Sequence, residues 1–161
     1  MPRILSRLAF VLVPAFFFAA STASAQQRPD YGPAVDIATA KKVAAGTIAA
    51  CGEKKWNVAV AIVDNHGSLV YFERMANTQL GSVEVAITKA SASARYRRPT
   101  RAFAAAIAKG RTAVVTFPGI VASPGGLPIM SGGKVIGAVG VSGVQGGQDE
   151  QCAKAGLATL K

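Results

Sequence analysis

Histidine is almost absent from this chain, and its scarcity removes whole classes of chemistry. His66 stands alone. A catalytic zinc ion usually takes three protein ligands, so a lone histidine argues against a zinc enzyme. A Ser-His-Asp arrangement would have to use His66, and no serine stands out as its partner. Neither a Gly-x-Ser-x-Gly elbow nor a phosphate-cradling Walker loop occurs. Cysteine is limited to Cys51 and Cys152, a separation that matches no metal-knuckle spacing. Acidic residues are also scarce, with 8 Asp and Glu against 18 Lys and Arg, for a formal net charge of +10. Paired carboxylates for hydrolytic acid–base work are lacking. Past residue 25 there is no apolar run long enough to span a membrane.

What is present begins with an export signal. Arg3 and Arg7 precede an apolar run, Leu8 to Ala20, broken only by Pro14, and Ala23-Ser24-Ala25 supplies a small-residue cleavage site. The run is too short to anchor comfortably in a bilayer, so residues 1–25 are read as a signal peptide cleaved after Ala25. The expected location is the periplasm or the medium. Removing Arg3 and Arg7 takes the net charge from +10 to +8. A basic exported chain meets anionic small molecules and surfaces, and its compartment argues against nucleic acid. Export also permits a disulfide.

Residues 26–35 read as an extended leader, and 36–161 as one domain. Asp36 can cap a helix carrying Ile37, Ala40, Ala44, Ile48 and Cys51 at helical spacing, with Gly52 placed to stop it. Residues 57–63 form a β-branched strand, Asp64-Asn65-His66-Gly67 a turn, and 68–74 the return strand. Residues 81–96 make a helix of small residues. Pro99 separates it from a second helix, Arg101 to Lys109, with Thr100 as the expected N-cap and Gly110 as the stop. A short strand is expected within 112–117. A glycine-rich hairpin turns at Ser131-Gly132-Gly133. Gly146-Gly147-Gln148 is expected as loop, with Asp149 capping a last helix, Glu150 to Leu160. This order implies an α+β fold: a profilin- or PAS-like antiparallel sheet with its terminal helices packed together. That packing can bring Cys51 and Cys152 near each other. Both a disulfide and two buried thiols remain open.

Four features carry possible chemistry. His66, in a turn, can ligate iron or serve the turn alone. The run Arg95-Tyr96-Arg97-Arg98-Pro99-Thr100-Arg101 can bind carboxylates bidentately, or stand as a solvated basic corner. Lys89 can reach a ligand or snorkel to water. Gly125, Gly126, Gly137, Gly140 and Gly143 leave bare backbone in a hairpin. Gly137 and Gly143 face one side and Gly140 the other, which implies close approach on both. One partner is the small-residue helix. The other is expected to be a flat ligand or a second subunit.

The segments VAVAIVDNHGSLVYFERM, ITKASASARYRRPT and PGGLPIMSGGKVIGAVGVSGVQGGQDEQCAKAGLATL resemble the GlcG/HbpS-like family of heme-binding proteins, and also the C-terminal domain of PduO-type corrinoid adenosyltransferases. The resemblance spans roughly residues 36–160. It implies an α+β domain that assembles into homo-oligomers, often octamers, with heme binding in some members, corrinoid association in others, and heme degradation described for some. Lys89, Arg98, Pro99, Thr100, Gly125, Gly126, Pro128, Gly137, Gly143 and Asp149 match its recurrent pattern.

The resulting candidate set for holding heme, or a similar anionic planar tetrapyrrole, is His66, Lys89, Arg97, Arg98, Thr100, Gly125 and Gly126. His66 is the candidate metal ligand, and no residue is assigned as catalytic. The leading expectation is an oligomeric carrier or sensor. The rivals are an enzyme acting on heme or a small organic acid, and an interaction module whose glycines serve only subunit packing.

Overall fold

The computed structural model describes residues 27–161. The expected signal segment and its cleavage point lie outside the described residues. The elements in chain order are α1 (Ile37–Glu53), β1 (Ala59–Asp64), β2 (Leu69–Arg74), α2 (Ser82–Tyr96), α3 (Arg101–Ala108), β3 (Gly126–Ser131), β4 (Lys134–Ser142) and α4 (Gly146–Ala158). Four strands form one antiparallel sheet in the order β2-β1-β4-β3. Helices cover both faces, which makes the fold α+β in three layers.

Strand alternation sorts the core. Val60, Ile62, Val139 and Val141 point to the face covered by α1 and α4. Ala59, Ala61, Val63 and Ala138 point to the opposite face, against Ala86, Ala90 and Ala94 of α2. The second face is built of small residues, so α2 lies very close to the sheet. At Gly140 a Cβ would run into the Ala86 carbonyl and the Ala90 backbone. The helix side of the glycine pattern is therefore as expected. The other side is not. A Cβ at Gly137 would strike the Val63 carbonyl and Val35, and one at Gly143 would meet Asn57 and Val58. The chain's own residues fill those bare positions, and neither a flat ligand nor a second subunit is needed to explain them.

Two further expectations are corrected. Residues Thr112–Thr116 form a 3-10 turn, not a strand, because no sheet edge lies alongside them and only Val114 is buried there. The last helix begins at Gly146, not after Asp149. Gln145 holds the extended N-cap backbone, and the Gln148 side chain accepts its N–H at 3.1 Å. Asp149, drawn inward, is buried in the first turn.

The leader is structured by the sheet. Beyond Asp64, where β1 ends, residues 30–35 take its place beside β4. Val135 N donates to Asp30 O, Gly32 N to Val135 O and Val35 N to Ile136 O, at 2.8–2.9 Å. On the far face α1 and α4 run antiparallel and nearly touch, with Gly156 against Val43 and Thr47. Cys51, at the end of α1, is disulfide-bonded to Cys152 in α4, with Cα atoms 5.6 Å apart.

Two outcomes test this framework. Gly140→Ala should cost about 3 kcal/mol, the upper end for overpacking, because the opposing atoms are backbone and cannot swing away; the denaturant midpoint reads it. Replacing both cysteines by alanine opens a covalent loop spanning 101 positions. The chain-entropy account puts its loss at about 4–5 kcal/mol, and reduction of the unfolded wild-type chain should raise its mass by two hydrogens.

Candidate functional site

The residues singled out from sequence fall into three places. The first is a sealed knot beneath α2. Lys89 is 1% exposed, and its ammonium donates to Asp149 Oδ2 at 2.8 Å and to the Val141 carbonyl at 3.0 Å. Asp149 Oδ1 accepts the Val144 N–H at 3.2 Å. Gly125, at φ +123°, lies over this pair, where a side chain would collide with Lys89 Nζ and Asp149 Cβ. Thr100 is fully buried. Its hydroxyl donates to Ser123 O at 2.6 Å and accepts the Gly126 N–H at 3.0 Å, while its own N–H donates to Gly126 O. Lys89, Thr100, Gly125 and Gly126 are thus brought together, with the Lys89 ammonium held by Asp149 and Val141 and the Thr100 hydroxyl by Ser123 and Gly126. In this arrangement all four serve the framework. Lys89 does not snorkel to water, and Thr100 makes no side-chain cap to α3.

The second place is an open cavity of about 360 Å³ where α2 gives way to α3. Arg97 takes the left-handed conformation (φ +52°) that ends α2, and Ser93 ties down the next residue through the Arg98 backbone. This turn throws both guanidinium groups outward. Arg97 and Arg98 line the cavity with Arg28, Gln27 and Pro29 of the leader, Pro99 and Ala102 below, and Pro128 and Met130 of β3. No carboxylate is among these lining residues. Arg97 Nη1 donates to Pro29 O, and its guanidinium lies 5.0 Å over the Tyr31 ring. Arg28 donates to the Tyr96 carbonyl at 3.1 Å. Arg28 and Arg98 also wall an adjoining hollow of about 180 Å³, with Tyr96, Phe103 and Phe117. Arg101, the last of the basic run, is committed elsewhere: it pairs with the buried Glu150 at 3.0 Å.

The third place holds His66. It is exposed at the tip of the β1–β2 turn, in a hollow with Tyr31, Asn65 and Arg95. Asp64 Oδ1 accepts the His66 and Ser68 N–H groups at 2.9 Å, and Arg95 Nε donates to the His66 carbonyl at 3.0 Å. Tyr31 lines the His66 hollow while its ring carries the Arg97 guanidinium, so it stands between the two places, which share no lining residue. Among the described residues no group of three or more His, Cys, Asp and Glu is arranged to hold a metal ion. Sequence reasoning missed Arg28 and Met130. The leader carries no periodic signal, and an isolated methionine in a strand reads as packing.

The comparisons with known proteins agree with this architecture. The family model described as "Haem degrading protein HbpS-like" matches residues 35–158. GlcG of Escherichia coli (strain K12) is 37% identical over 103 residues, which are 61% of this chain and 77% of GlcG. The crystal structure of HbpS superposes with a TM-score of 0.76 at 28% identity, covering 89% of this chain and 99% of HbpS. The PduOC:heme complex superposes with a TM-score of 0.72 at 24% identity, covering 78% of this chain and 94% of that one, a likeness of fold alone.

The sealed knot makes a pH prediction. Burial pushes the Asp149 carboxyl above its ordinary range, outweighing the Lys89 ammonium and the Val144 and Gly143 amides, which pull it down. The folded carboxyl therefore holds its proton to higher pH than the unfolded one. Its contribution to stability is full below the unfolded value of about 3.9 and declines as pH rises through the folded value. The stability of wild type relative to Asp149→Asn should fall across that window in denaturant titrations at stepped pH. A relative stability that climbs instead would reverse the sign.

Proposed function

The chain belongs to the HbpS-like family, and from that premise we propose that it is an exported, homo-oligomeric protein that binds heme in the arginine cavity, as a carrier or sensor. The observation that carries this reading is the convergence of Arg28, Arg97 and Arg98 on one open cavity with no carboxylate in its lining. Guanidinium groups match planar carboxylates, and heme presents two of them at one edge. Apolar Pro99, Ala102 and Pro128 suit the ring, and the adjoining aromatic hollow extends the same surface. The residues present therefore fit the group. When bound, heme supplies a redox-active iron; the chain supplies cations at the carboxylate edge and a rigid apolar floor. Exposed Leu69, Leu80 and Val115 are apolar side chains available for self-association. No helix among the described residues is long and apolar enough to cross a membrane.

The family description favours a second reading, degradation of the bound heme. The cofactor with oxygen and a reductant can carry that chemistry with little from the protein. Adding reductant to the complex in air separates the two readings. A persistent Soret band marks a carrier, while steady bleaching with a stoichiometric product marks the enzyme.

Titrating hemin into the mature protein should give a saturable spectral shift at micromolar concentration. Arg97→Gln and Arg98→Gln should each weaken binding about tenfold, the low end for a hydrogen bond to a charged group at a half-open site. If neither changes affinity, the carboxylate edge does not lie in this cavity.

A further inference from the structure

We propose that Met130, not His66, supplies the protein ligand to the iron of a heme held in the arginine cavity. This rests on the heme reading above and goes beyond it by naming the ligand atom.

Strand alternation places this side chain. In β3, Leu127 and Ile129 turn into the core under α1 and α4. Pro128 and Met130 alternate with them and line the arginine cavity, and Met130, on the edge strand, also borders a hollow beside Asp36 and Thr39 at the start of α1. The β3–β4 register shifts between Ile129 and Met130. The extra residue, Ile136, lies on β4, so Met130 keeps the alternation of its own strand and pairs with Val135. Met130 stays 42% exposed, although a side chain of its length has apolar surface to bury.

The donor chemistry then selects it. Three of the nine lining residues are arginines, which have no lone pair to give. Prolines and alanine offer none from their side chains, and the Gln27 amide is a hard oxygen donor. The Met130 thioether is the one soft donor in the lining, and thioether sulfur is an established class of axial ligand to heme iron. His66 has the more familiar donor, but it lies in a hollow with no lining residue in common with this one.

The test uses ferric hemin and the mature protein as wild type, Met130→Leu, Met130→His and His66→Ala. Expected for wild type is a near-infrared sulfur-to-iron charge-transfer band in absorption and magnetic circular dichroism. That band should survive in His66→Ala and vanish in Met130→Leu, whose side chain matches methionine in volume and should leave folding intact. Met130→His should restore a protein-ligated spectrum of nitrogen type, with a lower reduction potential than wild type, because methionine ligation raises the potential. A saturable hemin shift without the sulfur band, or a band lost in His66→Ala and kept in Met130→Leu, overturns the ligand assignment and leaves heme binding standing. No saturable shift in any of the four proteins overturns heme binding itself, and the assignment with it.

Discussion

The structure turns on one buried ion pair. Lys89 and Asp149 are 60 residues apart and meet at 2.8 Å with almost no solvent access. Lys89 belongs to α2 and Asp149 to α4, on opposite faces of the sheet, and the third partner is the Val141 carbonyl of β4 between them. The pair therefore joins all three layers. A buried pair adds little net stability over apolar side chains of equal volume, since both charges must leave water. What it gives is specificity. A single arrangement of α2, β4 and α4 satisfies both ions, so a helix slid by one turn would strand a charge in a dry interior.

The same demand explains the glycines around it. The pair is enclosed by main chain that passes close by. Gly125 passes over Lys89 Nζ, Gly126 rests on the Lys89 carbonyl, and Gly140 lets α2 sink onto β4. Thr100 locks the loop by bonding Ser123 and Gly126. With Thr100 fixed, the chain leaving α2 has only three residues, 97–99, in which to turn. The left-handed backbone of Arg97 makes that turn and leaves Arg97 and Arg98 on the outside. The open cavity is thus a geometric consequence of the sealed knot beneath it.

Much of this was legible in the residues, for definite reasons. The β-branched run before Asp64 and the apolar spacing in 37–51 and 81–96 report burial directly, so the helices, the hairpins and the antiparallel pairing of α1 with α4 follow from pattern. The faces of Gly137, Gly140 and Gly143 followed from strand alternation. What occupied the Gly137 and Gly143 side did not, because Val35 arrives from a leader with no periodicity and Val58 from the residue before β1. Lys89 with Asp149 was hidden for a related reason: a lone lysine among small residues looks solvated until its partner is known. Expecting Asp149 as a helix cap assigned its carboxylate to the local backbone, when a charge from another layer had the stronger claim. The separation of His66 from Arg97 and Arg98 is likewise a distance that only the docked leader and the β1–β2 turn define.

The division between knot and rim also says where binding can change without cost to the fold. Lys89, Thr100 and Asp149 have no polar group to spare, so altering any of them leaves a buried partner unsatisfied. Arg28, Arg98 and Met130 sit at the surface of the same framework. Arg28 bonds one carbonyl, Arg98 lies over the Phe103 ring, and Met130 is partly exposed. Substitution there removes little buried area. The cavity can therefore be retuned in charge and donor type while the three layers stay in register. Arg97 is the exception, since it both ends α2 and holds Pro29 of the leader. It couples the leader wall of the cavity to the turn that the knot dictates, and through it the shape of the open site inherits the rigidity of the buried pair.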